Sequence, residues 1–506
     1  MKKTLLIMAL SFGLNAYGQS EIMWQKRFGG SGEDYATALD KTADGGVIIA
    51  GYSSSTDGHI TENKGASDYW LVKLNGAGTM QWQKTLGGSG NDEAQSVQQT
   101  TDGGYIIAGY STSNNGDVSG NNGAYDFWVA KTNSTGTIQW QKSIGAAGPQ
   151  KAYSIKQTPD GGYIVGGTNG QDIHIVKLST TGTLQWQKTY GGTSSETFGE
   201  INNTNDGGYI FAAYTASNNG DVTIQHGQGD AWVVKLNNVG TIQWQKTLGG
   251  TKMDLANSII QTTDGGYIVA GYSYSNDGDL TGHYGTTESP DVWLVKLNSS
   301  GTIQWQKNYG GSDLDMAHSV KKTSDGGYIV AGYTGSNDND VSGLNNPFGL
   351  TDMWVFKADV LGNLEWQKTL GGTNGDIAYD VVQSSDGNYI VTGHTGSPIS
   401  GNITEASLGG SDVWIVKLDA SILNVNDIDT IVTLNIYPNP TSELVFVESK
   451  NTITALELYD TQGKLLKTQK ANGKKEQLNL SSYPQGVYMV KVITEKEVKT
   501  LKVIKK

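Results

Sequence analysis

Thr302-Ile303-Gln304-Trp305-Gln306-Lys307 is one of seven near-copies of the same ending. Trp-Gln-Lys recurs at Trp24, Trp82, Trp140, Trp186, Trp244, Trp305 and Trp366, spaced by 58, 58, 46, 58, 61 and 61 residues. A period of this size denotes a repeat architecture. Working back from Trp305, 256–262 (ANSIIQT) reads as a strand and Asp264-Gly265-Gly266 as a tight hairpin turn. Residues 267–272 (YIVAGY) read as an apolar strand buried on both faces, and 276–290 as a polar loop. A third strand, 291–297 (DVWLVKL), and a turn at 298–301 lead into the fourth strand, 302–307. Four antiparallel strands per unit predict a propeller blade.

The strand count predicts how the ring closes. Seven sets of strands one to three begin near Ala36, Ala94, Ala152, Phe198, Ala256, Ala317 and Ala378, but the seventh has no Trp-Gln-Lys after it. The N-terminus supplies the missing piece, an orphan fourth strand at 22–26. The expected fold is all-β: a seven-bladed propeller over 19–420, its last blade completed by the first strand, with no open sheet edge at the seam. The other six tryptophans, Trp70, Trp128, Trp232, Trp293, Trp354 and Trp414, share a position in strand three, where blade three has His174. Rings repeated this regularly are expected to fill the wedges between blades.

Composition agrees with many short strands and tight turns: of 506 residues, 69 are Gly and 8 Pro. With no Cys, disulfides and thiolate metal sites are excluded. Residues 1–18 read as a secretory signal, with Lys2 and Lys3 before an apolar run and Ala16-Tyr17-Gly18 as the cleavage site. That run is too short to span a bilayer, and no later stretch is long enough. The net charge is −13, while residues 434–506 carry 12 Lys and 7 Asp or Glu, so the repeat region is strongly acidic. This disfavours nucleic acid and favours cations.

Strand alternation sorts the loops. Turns after strands one and three are short and share one face; connections after strands two and four are long and share the other. Function is expected on the variable face. Two carboxylate sets map there. One, Asp34, Asp92, Glu196, Asp254, Asp315 and Asp376, follows the Gly-Gly step and is expected at the mouth of the central channel as candidate ligand contacts. The other opens strand three: Asp68, Asp126, Asp172, Asp230, Asp291, Asp352 and Asp412. Turn chemistry alone accounts for both sets. The long loops offer oxygen ligands for calcium in Asp117, Asp221, Asp277, Asp279, Asp338 and Asp340, though none forms a twelve-residue calcium loop. Blade three lacks its long loop, having only Asn169-Gly170-Gln171, which leaves a notch in the rim open to an off-axis ligand.

No phosphate loop, HExxH or Gly-x-Ser-x-Gly elbow is present. The repeat resembles the glycine-rich propeller repeats of Bacteroidota surface proteins. VKLNSSGTIQW (295–305) also resembles the strand-three to strand-four hairpin of quinoprotein-like propellers, which implies a packing role for its Trp. Residues 434–506 resemble the type A sorting domain of the type IX secretion system. The matching motifs contain Tyr437, Pro438, Asn439 and Pro440, then Gly463 and Lys464, then Gly486 and Tyr488, before a basic tail. Read unaided, this segment is a small basic β-sandwich, Ig-like, behind a linker at 421–433. The resemblance implies export across an outer membrane, with the type IX translocon and sorting machinery as partners. The expected function is a secreted or surface-displayed monomer that binds a glycan or another extracellular polymer on its long-loop face. A polysaccharide hydrolase using carboxylates at the channel mouth, and a surface scaffold, are the alternatives.

Overall fold

The computed structural model describes residues 22–286, 288–346, 349–420, 435–437, 440–460, 464–494 and 498–506. The expected signal and linker lie outside them. The chain divides into two compact units, Met1–Leu423 and Asn424–Lys506.

The first unit is a ring of seven four-stranded antiparallel sheets. Blade one runs through Asp34–Lys41, Val47–Ser53, Asp68–Leu74 and Met80–Leu86. Blades two to six repeat the pattern, with first strands at Asp92–Gln99, Lys151–Gln157, Glu196–Asn203, Asp254–Gln261 and Asp315–Lys322. Blade seven takes three strands from Asp376–Gln383, Tyr389–Thr395 and Asp412–Leu418, and its fourth from Ile22–Phe28. That strand pairs Gln25 with Val416, Lys26 with Ile415 and Phe28 with Val413. It runs two residues beyond the expected 22–26, and closure is as the strand count required.

Local chemistry explains the blade. In the first turn Thr262 N donates to Gly266 O at 2.9 Å and Gly265 N to Thr262 O at 3.0 Å. Gly265 holds φ +80°, where only glycine is unstrained. Asp264 accepts from the Thr262 hydroxyl at 2.5 Å and from Lys296 of strand three at 2.9 Å. The Thr262 hydrogen bond, outweighing the opposing effect of burial and joined by Lys296, lowers Asp264 to about 2. The same lysine–aspartate tie recurs in every blade, from Lys73–Asp44 to Lys417–Asp386.

The tryptophans join blade to blade. Trp305 lies against Gly362 of the next blade, where an added methyl would meet the indole at 2.8 Å, and its ring sits 6.2 Å from that of Tyr328. Trp244 does the same with Gly301 and Tyr267, and Trp24 crosses the seam to Gly78. The strand-three tryptophans are fully enclosed. Each indole N–H donates to the glutamine of the same blade's Trp-Gln-Lys, as in Trp293 to Gln306 at 3.0 Å and, across the closure, Trp414 to Gln25 at 3.1 Å. Losing one buried ring of this size costs about 3–5 kcal/mol, so the wedges are a main source of stability.

In the second unit one sheet folds over on itself as a small sandwich. Leu444–Tyr459 is its spine. The first half pairs with Asn435–Tyr437 and the second with Gly486–Thr494, the halves separated by irregular pairing between Glu448 and Ile453. Val447, Leu456, Leu478, Val490 and Val503 share one core. Lys505, nine-tenths buried, donates to the carbonyls of Leu480, Ser481 and Tyr483 at 2.8, 3.0 and 2.5 Å.

Candidate functional site

The first strands of the seven blades line the axis, and their residues fall at successive depths below the long-loop face. Nearest that face are Tyr35, Glu93, Lys151, Thr197, Leu255, Met316 and Ile377. A bulge in the strand-one pairing comes next, and the side chain at the bulge crosses to the neighbouring blade. Thr37 donates to Ala94 O at 2.8 Å, Asn257 to Ala317 O at 2.8 Å, and His318 Nδ1 to Ala378 O at 3.0 Å. These hydrogen bonds tie blades around a channel of about 280 Å³.

Farther from the loop face the channel is charged. Lys156 pairs with Glu200 at 2.9 Å, Lys321 with Asp380 at 3.1 Å, and Lys321 approaches Glu200 at 4.0 Å. The belt spans blades three, four, six and seven. Burial pushes the Glu200 carboxyl up, but Lys156 and Lys321 overrule it and hold Glu200 at about 2.

The mouth itself is aromatic. The last tyrosine of each YIVAGY-type strand reads as buried, and in blade two Tyr110 is. Elsewhere Tyr52, Tyr214, Tyr272 and Tyr333 are half-exposed at the axis end of strand two, with His394 in the same place in blade seven. They join rings from strand one. Tyr52 lies 5.0 Å from Tyr35, Tyr35 4.6 Å from His394, His394 5.7 Å from Tyr379, Tyr379 4.8 Å from His318, and His318 5.3 Å from Tyr333. Six rings thus stand in unbroken contact across blades one, seven and six. On the far side Tyr110 and Tyr125 pack edge to face at 5.5 Å, and the Lys151 ammonium lies 4.2 Å from the centre of Tyr110.

The collar is mostly uncharged. Burial pushes the Tyr272 and Tyr379 phenols up to about 12, so they remain hydrogen-bond donors. Burial also lowers His318 and His394 to about 4, leaving neutral imidazoles. Glu33, Glu93 and Lys151 add charge at the rim. Half-exposed aromatic faces beside a few polar groups suit a ligand with both an apolar face and hydroxyls.

The carboxylates expected at the mouth lie elsewhere. Asp34, Asp92, Asp254, Asp315 and Asp376 are fully enclosed, and Glu196 nearly so. Asp254 accepts from Gly250 N at 2.7 Å, from Ser275 Oγ at 2.9 Å and from Ser273 Oγ. Six of the second set accept from a loop N–H four to seven residues earlier, such as Lys64 N to Asp68 at 2.6 Å. Asp172, in blade three, is partly exposed. The two sets meet at six of the seven blade junctions, and at Gly145 Asp126 faces Gln150 instead. A methyl on Gly87 would lie 2.1 Å from Asp68 Oδ1 and 2.6 Å from Asp92 Oδ2. Glycine is required there because the acids of neighbouring blades converge on its backbone. The Oδ1 atoms of Asp68, Asp126, Asp230, Asp291, Asp352 and Asp412 are buried with no protein partner. Burial, with Asp92 beside it, pushes Asp68 up to about 6. Asp291 and Asp315 are raised by burial, Asp291 also by its neighbour Asp315.

The aspartates proposed for calcium hold backbone instead. Asp277 accepts from Thr251 N at 2.8 Å and Asp338 from Ser312 N at 2.7 Å. Asp117, Asp221 and Asp279 accept from Gly87, Gly191 and Gly249 N at 3.1 to 3.2 Å. Asp340 N donates to Gly310 O at 3.0 Å. Among the described residues no three acidic or histidine side chains gather as metal ligands would.

Of the sorting-motif residues, Pro438, Asn439 and Gly463 lie outside the described residues. Tyr437 is exposed and donates to Glu448 at 2.6 Å, Lys464 N donates to Asp460 at 2.9 Å, and Gly486 opens a strand whose Tyr488 is buried.

Residues 435–506 match the family model of the secretion system C-terminal sorting domain. This tail directs the chain through the type IX system to the cell surface or beyond. Over 178 residues the chain is 30% identical to the regulatory protein FlaEY of Caulobacter vibrioides, covering 34% of this chain and 19% of that protein. The chain therefore spans about a fifth of the relative's length. Among solved structures, PorZ of Porphyromonas gingivalis aligns with a TM-score of 0.37 at 12% identity, over 99% of this chain and 61% of that one. The extracellular domain of a hybrid two-component system from B. thetaiotaomicron aligns at 0.42 and 11%, over 96% and 60%. The Pan2 WD40 domain of Neurospora crassa aligns at 0.41 and 11%, over 78% and 95%. Among the described residues no helix is long and apolar enough to cross a membrane.

Proposed function

We propose that this exported propeller is a monomeric binding protein that takes a glycan, or a similar hydroxyl-rich extracellular polymer, at the aromatic mouth of its channel. The carrying observation is the unbroken run of half-exposed rings from Tyr52 to Tyr333. A pyranose has C–H faces that pack on such rings and hydroxyls that pair with phenols and neutral imidazoles. The charged belt below gives the cup a polar floor. The carboxylates that a hydrolase would have used, Asp254 and Asp315, are instead enclosed by serine or threonine hydroxyls and a glycine N–H.

The test is a glycan array probed with the full chain, then titration of the best ligand against Tyr35→Ala and Tyr379→Ala. Each substitution is expected to weaken binding at least tenfold while circular dichroism stays unchanged. An array with no signal, or binding indifferent to both substitutions, overturns the proposal.

A further inference from the structure

Six blades plug their own outer groove, and blade three does not. In the six, the long loop brings an aliphatic residue followed by Ser or Thr: Ile60-Thr61, Val118-Ser119, Val222-Thr223, Leu280-Thr281, Val341-Ser342 and Ile403-Thr404. Each aliphatic side chain is at most 2% exposed and shares a core cluster with its blade's strand-three tryptophan. The cluster at blade three has neither.

The plug is held in a repeated way. The residue before the aliphatic donates its N–H to the carbonyl of the Gly-Gly step, as Asp117 does to Gly87 O at 2.8 Å. The Trp-Gln-Lys glutamine then donates to the Ser or Thr oxygen: Gln141 to Ser119 Oγ at 2.6 Å, Gln306 to Thr281 Oγ1 at 2.8 Å, Gln367 to Ser342 Oγ at 2.7 Å. The hydroxyl two residues later reaches a plug carbonyl in blades two and six: Ser143 to Ser119 O at 2.9 Å and Thr369 to Ser342 O at 3.1 Å.

Blade three keeps the receiving groups without the plug. Gly145, Ile144, Gln187 and Thr189 occupy the equivalent positions, and His174 replaces the tryptophan. They line a groove of about 470 Å³. Gly145 is exposed where Gly87 is buried. Burial lowers the His174 pKa, so the wall it forms is neutral.

We propose that this notch is a socket for an extended peptide segment of a partner protein carrying an aliphatic residue followed by Ser or Thr, bound as the six loops are bound within the chain. The segment's N–H would pair with Gly145 O, its aliphatic side chain would lie against Ile144 and His174, and its hydroxyl would accept from Gln187. The socket shares no lining residue with the channel.

The probe is the chain's own blade-four plug as a fluorescein-labelled peptide, NNGDVTIQ (218–225), titrated into the full chain by fluorescence anisotropy. Saturable binding is expected, at least tenfold weaker for the peptide with Val222→Asp. Grafting loop 112–125 in place of 169–171 is expected to abolish it by filling the socket. His174→Trp, which narrows the groove, and Gln187→Ala are each expected to weaken it at least threefold, and they serve if the graft does not fold. Absence of saturation at millimolar peptide, or binding undiminished in the folded graft or in both point variants, overturns the proposal.

Discussion

Arg27 Nε donates to Asp412 Oδ2 at 2.6 Å, with both side chains closed to solvent. Arg27 also donates to Ser397 O at 2.7 Å, while its own N–H is taken by Glu405 at 2.6 Å. The other six blades carry Thr, Ser or Asn at this position, so the arginine belongs to the seam. Breaking a buried ion pair by removing one partner costs about 3–5 kcal/mol. Arg27→Thr is therefore expected to lower the chain's stability on that scale. Hydrogen exchange should rise first in the Asp412–Leu418 strand. Unchanged protection there would show that pairing of the strands alone holds the ring.

The junction acids predict a pH dependence whose sign is set by their raised values. Asp68, Asp230 and Asp352 are pushed by burial to about 6, against about 4 in an unfolded chain. The native state holds more protons, so their contribution is full at low pH and is lost as pH rises through the folded value. His318 and His394, lowered by burial to about 4, act oppositely and destabilise as pH falls below about 6.5. The two effects oppose each other between about pH 4 and 6, where the aspartates outnumber the histidines. Asp315 and Asp291, raised by burial to about 7 and about 8, extend the loss, so the melting temperature should fall as pH rises from 5 to 8. Asp92→Asn, which removes a charge facing Asp68, should make that fall shallower. A melting temperature independent of pH between 5 and 8 would refute this.

Gly301→Ala tests the blade-to-blade dock. Its φ is +79°, and the new methyl would sit 2.8 Å from the Trp244 ring. The backbone strain alone costs about 1–2 kcal/mol, and the displaced indole should bring the total to about 3 kcal/mol or more. Denaturant melts should show the loss with an unchanged m-value. Gly265→Ala, with similar φ but open space around it, should cost only the strain.

Lys505→Ala should unfold the tail selectively. Its ammonium satisfies three buried carbonyls, and hydrogen bonds to charged groups contribute about 1.5–3 kcal/mol each at most. A loss of at least about 2 kcal/mol is expected in the tail's own transition, with export reduced in step. Wild-type melting would place this lysine outside the tail's stability.

Much of the ring was legible from spacing. Seven tryptophans, one surplus fourth strand and one missing one left little choice, because a propeller sheet without its outer strand exposes an edge. The notch in blade three was legible too, as a dozen missing loop residues. The binding mouth was not. Tyr267 and Tyr272 sit in one strand and look alike in an apolar run, yet one packs under Trp244 and the other reaches the axis. The first carboxylate set reads as candidate ligand contacts at the channel mouth, yet it is enclosed and does the turn chemistry that the same residues also predict.

Sequence alone settled the number of blades, their strand order and the closing partner, since these follow from repeat period and edge pairing. Only the folded ring decided which tyrosines face the channel and which carboxylates are sealed. Radial position depends on sheet twist and on contacts between blades some sixty residues apart, and no local pattern encodes either one.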